Sequence, residues 1–99
     1  MEPKIVVITG ADSGIGRSIA EHFDKPEYRL ILTARNAGRL EHVRADLKHA
    51  SSAVAIPADL SDYAQTKSLI SSIAKITSKI DVFIHTAGVY HDGEKAFYQ

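Results

Sequence analysis

Ninety-nine residues form one domain at most, near the lower edge of the usual size range. Twelve basic and twelve acidic side chains cancel, so no overall field recruits nucleic acid or anionic lipid, and any anion preference must be local. The chain has no cysteine, which excludes disulfides, thiol nucleophiles and thiolate metal sites.

The pattern along the chain alternates strand and helix. Lys4 to Thr9 contains Ile5-Val6-Val7-Ile8, a short β-branched run that reads as a buried strand. The run is too short for a signal-peptide core, and no stretch approaches the roughly 20 apolar residues of a membrane helix. A cytoplasmic domain without membrane contact is expected. A first helix is expected from Ile15 to Asp24, with Pro26 ending it. Arg29 to Ala34 is a second buried strand. Leu40, Val43 and Leu47 mark one face of a helix running to about Ala50. Ala53 to Ala58 is a third strand, weakened by Pro57. Asp59-Leu60-Ser61-Asp62 supplies caps for a long helix with Leu69, Ile70, Ile73 and Ile76 or Thr77 on its apolar face. Asp81 to Thr86 is a fourth strand, followed by Ala87-Gly88, and residues 89–99 are expected to be irregular.

This βαβαβαβ order predicts an α/β fold: a doubly wound parallel sheet of the Rossmann type, partial, with four strands in spatial order 3-2-1-4 and helices on both faces. In such sheets ligands bind beyond the carboxyl ends of the strands, where strand order reverses. Two distant segments fall at that place, the turn Gly10 to Gly16 and Ala87-Gly88.

The turn is Thr9-Gly10-Ala11-Asp12-Ser13-Gly14-Ile15-Gly16. A strand, a glycine-rich turn and a helix N-terminus suit the pyrophosphate of a dinucleotide, because the first N–H groups of the helix are unpaired and its dipole favours negative charge. A Cβ at the glycines would obstruct the turn, the approach of phosphate or the packing of helix on strand. Dinucleotide sites also read the adenosine ribose with an acid at the end of the second strand. Ala34 stands there, so no carboxylate is available for a free 2′-hydroxyl.

Four motifs, each at a strand end, resemble the short-chain dehydrogenase/reductase family, in its single-domain branch and over its N-terminal cofactor-binding portion. They are Gly10-x-x-x-Gly14-Ile15-Gly16, Thr33-Ala34-Arg35-Asn36, Asp59-Leu60 and His85-Thr86-Ala87-Gly88. The resemblance implies an oxidoreductase that transfers hydride between a dinucleotide and a carbonyl or alcohol substrate. It implies cofactor contacts at Gly10, Ser13, Gly14, Ile15, Gly16, Arg35, Asn36, Asp59, Leu60, His85, Ala87 and Gly88, with Asp59-Leu60 at the adenine. Family members usually read Asn-Asn-Ala-Gly at the fourth motif. His85 and Thr86 depart from it but keep hydrogen-bonding groups, so a strand-tying role is expected to survive. Many members place an arginine at position 35 on the 2′-phosphate of NADP, so NADP is expected over NAD. A charged hydrogen bond of about 1.5–3 kcal/mol corresponds to roughly ten- to hundredfold preference. Ser13 stands where some NADP-preferring relatives carry a second base.

The family's Ser and Tyr-x-x-x-Lys fall several dozen residues after the fourth motif. No catalytic residue is assigned among these 99 residues, and a longer protein is expected, with any oligomer built through its later portion. Tyr63-x-x-x-Lys67 copies the spacing but starts the wrong helix, and is expected to be a tyrosine lying beside a lysine stem. His42 and His49 are expected on one surface helix and no metal is assigned. Arg17 is expected to be solvated. Two other readings compete: a catalytically inactive dinucleotide-binding or interaction module, and a different Rossmann-type binder such as one for S-adenosylmethionine, against which the glycine spacing speaks.

Overall fold

The computed structural model of the chain describes residues 2–86. Its elements are β1 (Lys4–Thr9), α1 (Gly14–His22), β2 (Tyr28–Ala34), α2 (Ala37–Ala45), β3 (Val54–Pro57), α3 (Tyr63–Ile76) and β4 (Val82–His85), with a single 3₁₀ turn at Ala50–Ser52. All pairings are parallel and the sheet order is β3-β2-β1-β4, the arrangement expected from the alternating pattern. Residues 89–99, expected to be irregular, and the Ala87-Gly88 pair lie outside the described residues.

Register places Thr9 beside Thr33 on one side and beside His85 on the other. The carboxyl ends of β1, β2 and β4 therefore meet at one level. Helices α1 and α2 cover one face, where Val6, Ile8, Leu30, Leu32, Leu40 and Val43 are buried with Ala20. Helix α3 covers the other through Leu69 and Ile73, packed on Ile5, Val7 and Ile31. Complete burial of such a side chain contributes about 1.5–3 kcal/mol, so β1 and β2, buried on both faces, form the centre of the fold.

Two expectations fail on this scaffold. Ile70 was placed on the apolar face of its helix, yet it is 61% exposed. Only Leu69 and Ile73 of α3 are buried, with Ile76 partly so. The described sheet ends at β4, where Phe83, on the same side as its register partner Val7, is itself 60% exposed.

The second helix ends at Ala45 rather than near Ala50. Asp24, at the end of the α1 connection, takes the N–H groups of Lys48 at 2.6 Å and His49 at 2.9 Å. That grip draws both amides out of any continuing helix. Leu47 stays buried, but from a turn. His42 and His49 therefore do not share a helix: His42 is exposed on α2, while His49 Nδ1 lies 3.1 Å from Asp24 Oδ1. Among the described residues no helix is long and apolar enough to cross a membrane.

Candidate functional site

The glycines of the first turn have three different reasons to be glycine. Gly10 has φ +61°, the left-handed region that a Cβ disfavours, and a Cβ there would also run into the backbone and hydroxyl oxygens of Thr86. A Cβ on Gly16 would strike the carbonyl of Gly10 and Cα of Ala11, so Gly16 lets α1 sit against the turn. A Cβ on Gly14 would meet no atom of another element within 4 Å among the described residues. Among those residues its bareness leaves room in front of the helix start.

Ser13 closes the turn as the N-cap of α1. Its hydroxyl donates to Gly10 O at 2.8 Å and accepts from Gly16 N at 2.9 Å. The N–H groups of Gly14 and Ile15, in the first turn, have no intrahelical acceptor and remain at the positive end of the helix dipole. The Ile15 side chain beside them is exposed.

The end of β4 is tied to this turn. Thr86 Oγ1 donates to Thr9 O at 2.6 Å and lies 3.2 Å from Gly10 O. Thr86 N donates to Thr9 Oγ1 at 3.2 Å, and Thr9 Oγ1 lies 2.6 Å from His85 Nδ1. The Thr9 hydroxyl can accept from Thr86 N and still share a hydrogen bond with His85 Nδ1, whose direction follows the His85 tautomer. His85 and Thr86 thus tie strand to strand. Thr33, the register partner of Thr9, is also fully buried, and its hydroxyl has no partner among the described residues.

At the end of β2, Ala34 is buried and Arg35 and Asn36 are exposed. Asn36 Oδ1 caps α2, accepting from Arg39 N at 3.0 Å. After β3, Asp59 Oδ1 accepts from Ser61 Oγ at 2.7 Å and Ser61 N at 3.0 Å. The Ser61 hydroxyl, its N–H and, to a lesser degree, the charge of Arg35 hold the Asp59 carboxyl below the ordinary range, against slight burial. Leu60 is exposed next to it.

Arg39 was not singled out in the sequence. It crosses from α2 to the glycine turn, its Nη2 donating to Asp12 O at 3.2 Å. No sequence signal reveals a contact between side chains 27 residues apart. Thr9, which ends β1, is buried, and a buried hydroxyl at a strand end requires a partner. Arg17 is ion-paired rather than simply solvated: Asp46 lies 2.9 Å and Glu21 3.5 Å away. The Lys67 ammonium sits over the Tyr63 ring, 5.4 Å from its centroid, on an exposed stretch of α3.

Of the residues picked from the sequence, the structure gathers Gly10, Ser13, Gly14, Ile15, Gly16, His85 and Thr86 at the ends of β1 and β4. Arg35 and Asn36 lie at the end of β2, and Asp59 and Leu60 follow β3. The space before Gly14 among the described residues, and the two N–H groups beside it with no intrahelical acceptor, suit a phosphate linkage.

A family model described as short chain dehydrogenase matches residues 4–99. The chain belongs to the short-chain dehydrogenase family. Its sequence is 33% identical over 97 residues to a dehydrogenase/reductase SDR family protein 7-like of Anopheles gambiae, covering 92% of this chain and 31% of that protein. The RhlG/NADP active-site complex of Pseudomonas aeruginosa is similar at TM-score 0.81 and 27% identity, over 97% of this chain and 39% of that one. A 3-ketoacyl-(acyl-carrier-protein) reductase from Brucella melitensis, complexed with NADH, is similar at TM-score 0.71 and 29% identity, over 83% and 33%. In each case the chain spans less than half of the relative's own length. The partial Rossmann fold is shared with the two solved structures.

Proposed function

We propose that the chain provides the cofactor-binding part of an NADP(H)-dependent short-chain dehydrogenase acting on a carbonyl or alcohol substrate. The observation that carries the preference for NADP is the end of β2. Ala34 supplies no carboxylate for a 2′-hydroxyl, and the exposed Arg35 follows at once. A planar guanidinium grips phosphate through paired N–H groups. One similar structure is named with NADP and another with NADH, so the preference rests on this chain's own residues.

In this reading the N–H groups of Gly14 and Ile15 receive the pyrophosphate, and bare Gly14 lets it approach. Asp59 and Leu60 border the adenine. The Thr9, His85 and Thr86 bonds tie the end of the fourth strand to the glycine turn. When bound, the nicotinamide supplies or takes the hydride; the residues of this chain bind and orient it.

Fluorescence titration with NADPH and with NADH, on wild type and Arg35→Ala, tests the reading. NADPH binding is expected to weaken about ten- to hundredfold in the variant, with NADH unchanged. Equal loss for both cofactors, or none for either, would overturn it.

A further inference from the structure

The turn that receives the phosphates carries an acid of its own. Asp12 stands in the glycine turn with its side chain only 17% exposed. A carboxylate there opposes an incoming phosphate unless a cation offsets it. Position 13 offers none, since Ser13 is neutral and its hydroxyl is committed to Gly10 and Gly16.

The offset comes from α2. Arg39 Nη2 donates to Asp12 O at 3.2 Å, and Nε lies 3.7 Å from Asp12 Oδ2. The neighbouring cations are more tightly engaged, Arg17 by Asp46 and Glu21 and Arg44 by Glu41. The Arg39 side chain is 67% exposed. A guanidinium has five N–H donors, and this contact leaves most of them to solvent or a ligand.

We propose that Arg39 is the second cation of the adenosine phosphate site, a specificity residue that cancels Asp12 and lends its open edge to the 2′-phosphate beside Arg35. The proposal rests on the NADP reading. Arg35 and Arg39 flank the cap residue Asn36, one sensed by Asp59 and the other held at Asp12. Their charges bracket the first turn of α2, whose own dipole is positive at that end.

Isothermal titration of the chain with 2′,5′-ADP and with 5′-AMP separates the two claims. Wild type is expected to prefer 2′,5′-ADP. Arg39→Gln is expected to lose about tenfold for 2′,5′-ADP, with a smaller loss for 5′-AMP, whose 5′-phosphate meets only the uncancelled Asp12. Because the side chain is exposed, the variant should unfold near the wild-type temperature, which a thermal melt checks. Equal weakening for both ligands, or none, overturns the role of Arg39. If Arg35→Ala removes the preference while Arg39→Gln keeps it, the Arg39 proposal fails and the NADP reading stands. If wild type shows no preference, the NADP reading fails and takes the Arg39 proposal with it.

Discussion

Replacing Gly14 with alanine should separate stability from binding. Gly14 opens α1 in helical geometry, and among the described residues an added Cβ meets no atom of another element within 4 Å. No described residue resists the change, while the unfolded chain loses freedom, so the substitution is expected to stabilise by about 0.4–1 kcal/mol. For a domain of this size that is an increase of about 2–8 °C in melting temperature. The same Cβ occupies the space before the free N–H groups of Gly14 and Ile15. Losing one charge-assisted bond there costs about 1.5–3 kcal/mol, or roughly ten- to hundredfold in affinity. Thermal melts by circular dichroism and a fluorescence titration with NADPH read the two effects on one sample. A variant that melts higher and still binds NADPH at wild-type strength would refute the role given to the open space. One that melts lower would refute the account of the backbone.

Gly16→Ala should behave oppositely, because its Cβ meets the backbone of Gly10 and Ala11; a loss of about 1–3 kcal/mol is expected in urea unfolding, and an unchanged midpoint would contradict the packing. Thr86→Val removes the hydroxyl that donates to Thr9 O and should cost about 1 kcal/mol and weaken NADPH binding, with Thr86→Ser restoring both; failure of serine to restore them would place the effect elsewhere. Burial raises the pKa of the Asp24 carboxyl, but bonds from the N–H groups of Lys48 and His49 and from the His49 ring outweigh it, leaving the net value lowered. A depressed folded value gives stability that is present above the ordinary carboxylate pKa of about 3.9 and is lost as pH falls through the folded value. Asp24→Asn should therefore cost about 1.5–3 kcal/mol at neutral pH, and its gap from wild type should close below about pH 4. A gap independent of pH would show that the charge is not what acts.

The strand order was legible because buried β-branched runs and helical periods alternate, and only a parallel sheet satisfies that alternation. One cap was legible too: Asp62, within Asp59-Leu60-Ser61-Asp62, accepts the N–H of Gln65, as a short polar side chain before an apolar period does, whereas Asn36, read only as a cofactor contact, caps α2. The end of α2 was not, because Leu47 keeps the helical spacing and is buried, yet a carboxylate 24 residues earlier holds the next amide. Ile70 shows a similar limit: periodicity assigns a face to a residue, but not whether the sheet beneath is wide enough to cover it. In the site, the glycine turn could be read from its spacing, while Arg35 was proposed from the family resemblance. The Arg39–Asp12 contact and the Thr9–His85–Thr86 bonds join distant segments, and only the folded chain brings them together.

The unequal covering of the sheet has a consequence for how the molecule opens. β1 is hydrogen-bonded on both edges, and Val6, Val7 and Ile8 are fully enclosed, so its amides should reach solvent only when the whole domain unfolds. β4 pairs with β1 alone within the described sheet and carries the bare Phe83, so its opening should need far less free energy. The bonds from Thr86 to Thr9 lie on this boundary. The glycine turn is thus joined on one side to the slowest-exchanging strand and on the other to a faster one, and a ligand that bridges the two should slow exchange most on the β4 side.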